Sequence, residues 1–442
     1  MSVASNPSEF KSAFEQFQSF LDPQEIDSLQ PFGPATVYTP YIVVWLMVYQ
    51  RLHANATLQS AVSELLGWEK APIDHKRFRE GTLSPSTAAY SAGRKRLSLE
   101  AADQIANRIY DTLMAATAPS FRDYRVFILD GSTVSRTPTA ELLAAFPPAT
   151  NQHGSSAWPI LHLLVAHELA SGCAITPEIG AKYGPEAVGE VTLAKRLIER
   201  LPRKSLLLAD RNFGTFDFAF SARQKGLVTL TRLTERRFRA MQRLAKPDGK
   251  GRWQLDWKPS RAMLRKHPDL PADALLKIWI YEVQVKPDLS LWMMSCLEAE
   301  GAELAELYQK RQDVETDIRN VKVILKTESI RGKSVAMVKK ELAMAMVAYN
   351  LVVQVRRLAA QKAKVEPRRI SFTGTWDLVR VILLSGGDWT AEQWQARFGK
   401  VLRAVARRKI PNRPGRSYER SVIPRGRKHP NRKKNAKPKI TK

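Results

Sequence analysis

The chain has 442 residues, which is too long for one ordinary hydrophobic core and predicts about two to four domains. Its formal net charge of +27 at pH 7 favours a polyanionic partner, either nucleic acid or an anionic membrane surface. Two cysteines are too few for a disulfide framework or a zinc site. The N-terminal residues lack a signal-peptide pattern, and the most apolar run, residues 41–49, is well short of the roughly 20 residues that span a bilayer. These features predict a cytoplasmic, nucleic-acid-binding protein with no membrane partner.

Residues 1–120 show apolar side chains at helical spacing and are predicted to form an all-helical N-terminal region that binds DNA. One of its helices is predicted near residues 8–20. From residue 121 to residue 233 short apolar runs alternate with helical patterns, which indicates an α/β layer with a mixed sheet. Strands are predicted at Arg125–Asp130, Ile160–Ala166, Ala174–Ile179, Ser205–Asp210 and Leu227–Leu230.

Residues 234–300 break this alternation and are predicted to be a β-rich insertion, with strands near 252–257, 275–285 and 289–296. A long charged helix is predicted from Ala302 to about Lys326, and a second from Lys333 to about Ala363. The α/β layer would resume at 301–350, followed by a helical C-terminal region at 351–408.

The C-terminal charge is concentrated. From Arg403 to Lys442 there are 16 Lys and Arg residues against one acid, Glu419. Residues 409–442 show no periodicity and are predicted to be a basic tail that is disordered until it binds DNA. The alternative is a solvated tail that serves only solubility.

Two of the predicted strands end in an aspartate, Asp130 in FILD and Asp210 in LLLAD. Carboxylates at the carboxyl ends of strands face the crevice where α/β domains bind ligands. Each aspartate alone is more typical of a turn or a helix cap.

The charged helix supplies a third carboxylate. Tyr308, Arg311, Glu315 and Lys322 are separated by three, four and seven residues, which places them on one helical face. A surface ladder of ion pairs would produce the same pattern. Asp313 and Asp317 would point away from this face into solvent.

The spacing Tyr-x2-Arg-x3-Glu-x6-Lys, together with LDGSTV (129–134) and ADRNFGTFDF (209–218), resembles the DDE transposases of the insertion-sequence-four type. The resemblance covers roughly residues 120–350. It implies a ribonuclease-H-like mixed sheet with flanking helices and a β-rich insertion. It also implies that Asp130, Asp210 and Glu315 are catalytic and hold Mg²⁺, with Mn²⁺ as a substitute, for DNA cleavage and strand transfer by a two-metal mechanism.

The resemblance further implies partners and a location. The partners would be the terminal inverted repeats of the element and target DNA, held by a DNA-induced homodimer in the nucleoid of a bacterial cytoplasm. Arg311 and Lys322 would neutralise DNA phosphates, while Arg211, beside Asp210, would contact DNA or shape the turn. Tyr308 would contact DNA or pack its helix onto the sheet. Trp253 and Trp257 would stack on bases or, as ordinary tryptophans do, lie in the core.

Two other functions fit the same sequence. One is a transposase-derived DNA-binding protein without catalysis, and the other is a stand-alone metal-dependent nuclease. No Walker-type motif is present in the sequence, so no ATP requirement is expected.

Overall fold

The computed structural model describes residues 22–411, except for 34, 55, 68–74, 153, 250, 288, 322–329 and 384–389. The helix predicted near residues 8–20, Lys322 and the tail beyond residue 411 lie outside this described part of the chain. The chain divides into two compact units between Lys409 and Ile410. The smaller domain boundaries predicted from the sequence remain predictions.

The N-terminal part of the described chain is helical. Polar side chains begin several of these helices: Thr39, Thr57 and Ser98 each accept a hydrogen bond from the backbone N–H three residues later. The helices are α1 (Pro23–Leu29), α2 (Pro40–Leu52), α3 (Leu58–Leu66), α4 (Lys76–Arg79), α5 (Ala88–Arg96) and α6 (Leu99–Ala115).

A nine-stranded mixed sheet follows, in the order β5-β4-β1-β6-β7-β11-β10-β9-β8. Its strands are β1 (Arg125–Ser135), β4 (Ile160–Glu168), β5 (Glu178–Ala181), β6 (Ser205–Ala209), β7 (Val228–Arg232), β8 (Lys246–Pro247), β9 (Arg252–Trp257), β10 (Leu276–Lys286) and β11 (Leu289–Ser295). The short strands β2 (Thr150–Asn151) and β3 (Gly154–Ser155) pair separately. The architecture is mixed α/β and consistent with the ribonuclease-H-like layer expected from the sequence.

The centre of the sheet is parallel and its flanks are antiparallel. Strands β1, β6 and β7 run parallel, whereas β4 and β11 pair antiparallel with the two sides of this centre. The strands predicted for the insertion therefore continue the main sheet instead of forming a separate layer. Periodicity predicted each strand but could not identify its partner.

Helices cover both faces of the sheet. They are α7 (Ala140–Ala145), α8 (Glu190–Ile198), α9 (Phe216–Gln224), α10 (Glu235–Gln242), α11 (Arg261–Lys266), α12 (Gly301–Gln309), α13 (Asp313–Arg319), α14 (Val335–Ala363), α15 (Phe372–Leu378) and α16 (Ala391–Arg407). Alternate residues of β1 enter different cores. Phe127 and Leu129 pack with the N-terminal helices and α14, while Val126 and Ile128 pack with the insertion strands, α12 and α13.

Helix α14 is the longest described helix and packs against α2, α6 and α16. It is long and apolar enough to cross a membrane by composition, but its apolar window is 78% buried within the fold. Such burial is typical of the core helix of a globular protein. Cys173 and Cys296 are free cysteines, and both are buried.

Three predicted elements differ in the structure. Strand β1 continues past Asp130 to Ser135, because its second half pairs with β4, so Asp130 lies within a strand. Strand β5 begins at Glu178, four residues later than predicted. The charged helix contains a 3-10 turn at Lys310–Gln312, through which the backbone continues in the right-handed helical region from α12 into α13.

Candidate active site

The register of two parallel strands places Asp130 beside Asp210. Ile128 on β1 is paired with Leu208 on β6, so continuing the register by two residues sets the two aspartates opposite each other. Alternation along both strands directs the two side chains to the face occupied by Ile128 and Leu208. Helices α12 and α13 pack on that same face.

Local hydrogen bonds orient both carboxylates. Asp130 Oδ1 accepts a hydrogen bond from the N–H of Gly131 at 3.0 Å. Asp210 begins a 3-10 turn, and its Oδ1 accepts from the N–H of Asn212 at 2.8 Å. Burial raises the pKa of Asp130, Arg311 opposes this effect, and the negative charges of Asp210 and Glu190 add to the increase. Asp130 thus lies in a partly desolvated, acidic position where a cation would be stabilised.

Tyr308 docks the helical segment onto the sheet next to Asp210. Its hydroxyl donates a hydrogen bond to the carbonyl oxygen of Ala209 at 3.3 Å, and its side chain is buried. Burial raises the pKa of this phenol. The sequence left two roles for Tyr308, contact with DNA or packing of its helix onto the sheet, and the observed hydrogen bond belongs to the packing role.

Arg311 reaches from the 3-10 turn towards Asp130. Its Nη1 lies 3.9 Å from Asp130 Oδ2 and, among the described residues, has no hydrogen-bond partner although it is buried. A buried guanidinium N–H without an acceptor can accommodate an incoming oxygen ligand such as a phosphate.

A groove of about 710 Å³ runs past Asp210, Tyr308 and Arg311, and Asp130 is not among the residues that line it. Its lining includes residues of the candidate site, two further arginines and the tip of the β10–β11 hairpin: Asp210, Arg211, Arg232, Val285, Leu289, Ser290, Leu291, Tyr308, Gln309, Arg311, Gln312 and Glu315. Glu315, in the first turn of α13, is exposed and shares this groove with Asp210. The sequence did not single out Arg232, because one arginine at the end of a strand carries no distinctive pattern.

The donor set suits a hard divalent cation, since Asp130, Asp210 and Glu315 offer only carboxylate oxygens. In the part of the chain that the structure describes, no three acidic, histidine or cysteine side chains are grouped closely enough to hold a metal ion. The two aspartates adjoin, whereas Glu315 lies along the same groove without closing a three-ligand group. The chemistry of the donors fits a divalent metal, and ligation by Glu315 requires it to approach the aspartates.

Of the other residues predicted to contact DNA, Arg211 lies in the groove and the two tryptophans do not. Arg211 lines the groove. Trp253 and Trp257 are half-buried, stand edge-on to Phe238 and Phe216, and do not line the groove. These contacts are those of core residues, and base stacking by the two tryptophans stays a prediction without support from their position.

The Transposase DDE domain model matches residues 121–351, which is more than half of the chain and contains both aspartates and Glu315. The chain belongs to the DDE transposase family. Comparison with curated proteins gives no match.

A fourth carboxylate lies next to the aspartates of this transposase. Glu190 begins α8, and a Cβ built on Gly131 would come within 2.4 Å of its Oε1. Its carboxylate also lies 3.5 Å from Nε2 of buried His162. Hydrogen bonds from His162 and Asn212 lower the pKa of Glu190. Glu190 therefore connects the backbone after Asp130 with the turn after Asp210. Sequence reasoning missed it, because a glutamate in the first turn of a helix is commonplace.

The prediction that Asp317 is solvated was wrong. Asp317 is 1% exposed, and its Oδ2 lies 2.8 Å from Arg368 Nη2 and 3.9 Å from His167 Nδ1. Burial alone would raise the pKa of Asp317, but Arg368 and His167 together outweigh burial and lower it. Asp313 is half-buried, and its Oδ2 lies 4.0 Å from Arg368 Nη1. The residues of α13 opposite Glu315 thus face protein, because the C-terminal region covers them.

Proposed function

We propose that this DDE transposase is of the insertion-sequence-four type and carries out cut-and-paste DNA transposition. It would cleave DNA at the ends of its element and transfer the resulting 3′-hydroxyl into target DNA. The observation that supports this most directly is the parallel register that sets Asp130 beside Asp210, with the Tyr308–Glu315 segment packed across the same face.

In this proposal Asp130, Asp210 and Glu315 hold divalent metal, physiologically Mg²⁺ with Mn²⁺ as a substitute. When bound, the metal would stabilise charge on the attacking and leaving oxygens of the phosphodiester. Glu315 would complete the ligand set once DNA enters the groove. In many enzymes the catalytic contacts are long in the free protein and shorten only when substrate binds, and Glu315 would follow this behaviour.

Arginines would position the DNA backbone in the groove. Arg311 would bind the oxygens of the scissile phosphate, because its Nη1 is buried beside Asp130 with no described acceptor. Arg211 and Arg232, which line the same groove, would bind neighbouring phosphates. Tyr308 would fix the helical segment on β6 rather than contact a base. Lys322 retains its predicted phosphate contact as part of the proposal.

Pairing two element ends requires two active sites, so we also propose a homodimer formed on DNA. The protein would act in the bacterial cytoplasm on nucleoid DNA. The basic C-terminal tail would add affinity that does not depend on sequence.

The test uses purified protein, Mg²⁺ and labelled DNA carrying the sequences that flank the coding region. Joined products support transposition, nicks alone indicate a nuclease, and a mobility shift without cleavage indicates a DNA-binding protein. Glu315→Gln should abolish cleavage and joining but preserve DNA binding. Glu306→Gln, at an exposed position of α12 outside the groove lining, is the matched control and should behave like wild type. Joining by Glu315→Gln would refute the site.

A further inference from the structure

The helix that carries Glu315 is held from its buried side. Asp317, two residues further along α13, accepts a hydrogen bond from Arg368 Nη2 at 2.8 Å, and its Oδ1 lies 3.5 Å from the hydroxyl of Tyr349. His167 of β4 lies on the remaining side, with Nδ1 at 3.9 Å. One carboxylate therefore joins α13 to β4, α14 and the segment that follows α14.

Arg368 is the centre of this arrangement. It lies in a 3-10 turn, Pro367–Arg369, beyond residues 121–351 that match the transposase domain. Besides Asp317, its Nη2 donates to the carbonyl of Glu168 at 3.1 Å, and its Nε donates to the carbonyl of Leu169. The rigid fork of one guanidinium thus fixes α13 against the end of β4.

Helix α13 depends on such contacts for its position. It has seven residues, between a 3-10 turn and a wider turn at Asn320–Val321. Helix α13 continues from α12 through the 3-10 turn, and most of the stability of such a segment comes from tertiary packing, so its side-chain contacts determine where it lies. Its fully buried residues are Val314, in the apolar core, and Asp317. Of these two contacts, the ion pair of Asp317 with Arg368 is the directional one, because the same guanidinium is also hydrogen-bonded to the backbone after β4.

A buried ion pair is not required for stability alone, because a neutral pair of similar volume often serves as well or better. A directional pair does restrict geometry. We infer that Arg368, acting through Asp317, is a positioning residue that sets the approach of Glu315 to Asp130 and Asp210. The region beyond the transposase domain would then contribute to catalysis without touching DNA or metal. This inference rests on the function proposed above for Glu315.

Two variants test it, because Arg368→Ala would leave buried Asp317 without its guanidinium partner and could unfold the chain. Arg368→Lys retains the charge but removes the fork, and Arg368→Met combined with Asp317→Asn removes both charges. Arg369→Lys and Arg369→Met, at the exposed neighbouring position, are the matched controls.

The first readout is local order. A nitroxide label on Thr316→Cys, an exposed site of α13, reports the mobility of the helix, and both native cysteines are buried from the label. In both Arg368 variants the label should become more mobile, while cooperative unfolding is retained above the assay temperature with a midpoint lowered by the lost hydrogen bonds. The Arg369 variants should show the spectrum of the wild type.

The second readout is single-turnover cleavage at saturating DNA. We expect the rate to fall by about 10- to 100-fold in both Arg368 variants, since a misplacement of about 1 Å can cost that much, with unchanged DNA affinity. If Arg368→Lys folds with an ordered label and cleaves like wild type, the inference is overturned, whatever the double variant does. Cleavage by Glu315→Gln would instead refute the proposed function. Loss of cleavage in Glu315→Gln beside a fully active Arg368→Lys would refute the positioning role alone.

Discussion

Arg311 faces Asp130 across the helix–sheet interface, with Nη1 3.9 Å from Oδ2. This cation is close enough to offset part of the charge of the aspartate pair, yet its Nη1 has no hydrogen-bond partner among the described residues. The same guanidinium can thus stabilise the carboxylates before DNA arrives and a phosphate afterwards.

Arg311→Ala should slow cleavage by about 10²–10³-fold, the usual cost of losing one donor that stabilises charge in a transition state. Arg311→Lys should recover part of the rate, because a point charge replaces a fork. Rates are measured under single-turnover conditions, with DNA affinity measured in parallel. Lys310→Ala changes the exposed neighbour outside the groove lining and should leave the rate unchanged. If Arg311→Ala and Lys310→Ala slowed cleavage equally, only the overall charge of this turn would matter.

Gly131→Ala should impair cleavage through Glu190. The added Cβ would lie 2.4 Å from Glu190 Oε1, so either that carboxylate or the backbone beside Asp130 must move. We expect a loss of about 10- to 100-fold in rate and a loss of stability within the 1–3 kcal/mol or so that overpacking costs.

Truncating Glu190 provides the control for this substitution. In a Glu190→Ala background, Gly131→Ala should have a much smaller effect, with a coupling energy of about 0.5–3 kcal/mol between the two sites. Gly189→Ala places its Cβ in open space and should be neutral. Additive effects of Gly131→Ala and Glu190→Ala would contradict the proposed contact.

Removing divalent metal should abolish cleavage and joining but not DNA binding. Mg²⁺ should restore activity after chelation, and Mn²⁺ should substitute for it, because both accept carboxylate oxygens. Metal that binds the folded state also raises the midpoint of thermal unfolding. That increase should be smaller in Asp130→Asn and Asp210→Asn than in wild type. Cleavage in the presence of excess chelator would exclude the proposed chemistry.

Deleting residues 410–442 should weaken the dependence of DNA affinity on salt. Each phosphate that the tail neutralises contributes about 0.9 to the slope of log affinity against log salt. A full-length variant with the Lys and Arg residues of this segment changed to Gln separates charge from length and should match the deletion. An unchanged slope in both would mean that the tail is only solvated.

The sequence predicted most elements of the fold, because each depends on local periodicity. Strand β9 has the predicted bounds, and β6 ends at Ala209, one residue before the predicted end at Asp210. Pairing partners were not predictable in this way. Nothing in residues 252–295 indicates that these strands extend the sheet containing Asp130.

In the candidate site, too, local patterns were predictable and long-range contacts were not. Asp130, Asp210 and the Tyr308–Glu315 segment were identified from motifs and spacing. The burial of Asp317 was missed, because its partner Arg368 is 51 residues away and comes from another region of the chain. Glu190 was missed for a similar reason, since only the fold brings it against Gly131.

Because β11 is hydrogen-bonded to β7, which pairs with the strand preceding Asp210, the insertion strands and the candidate site belong to one continuous sheet. Val285 and Leu289 of the β10–β11 hairpin line the same groove as Asp210, so a change in the length of this hairpin would reshape the wall of the groove. Changes in the insertion would then alter how DNA lies in the groove, while the sheet keeps Asp130 and Asp210 in place.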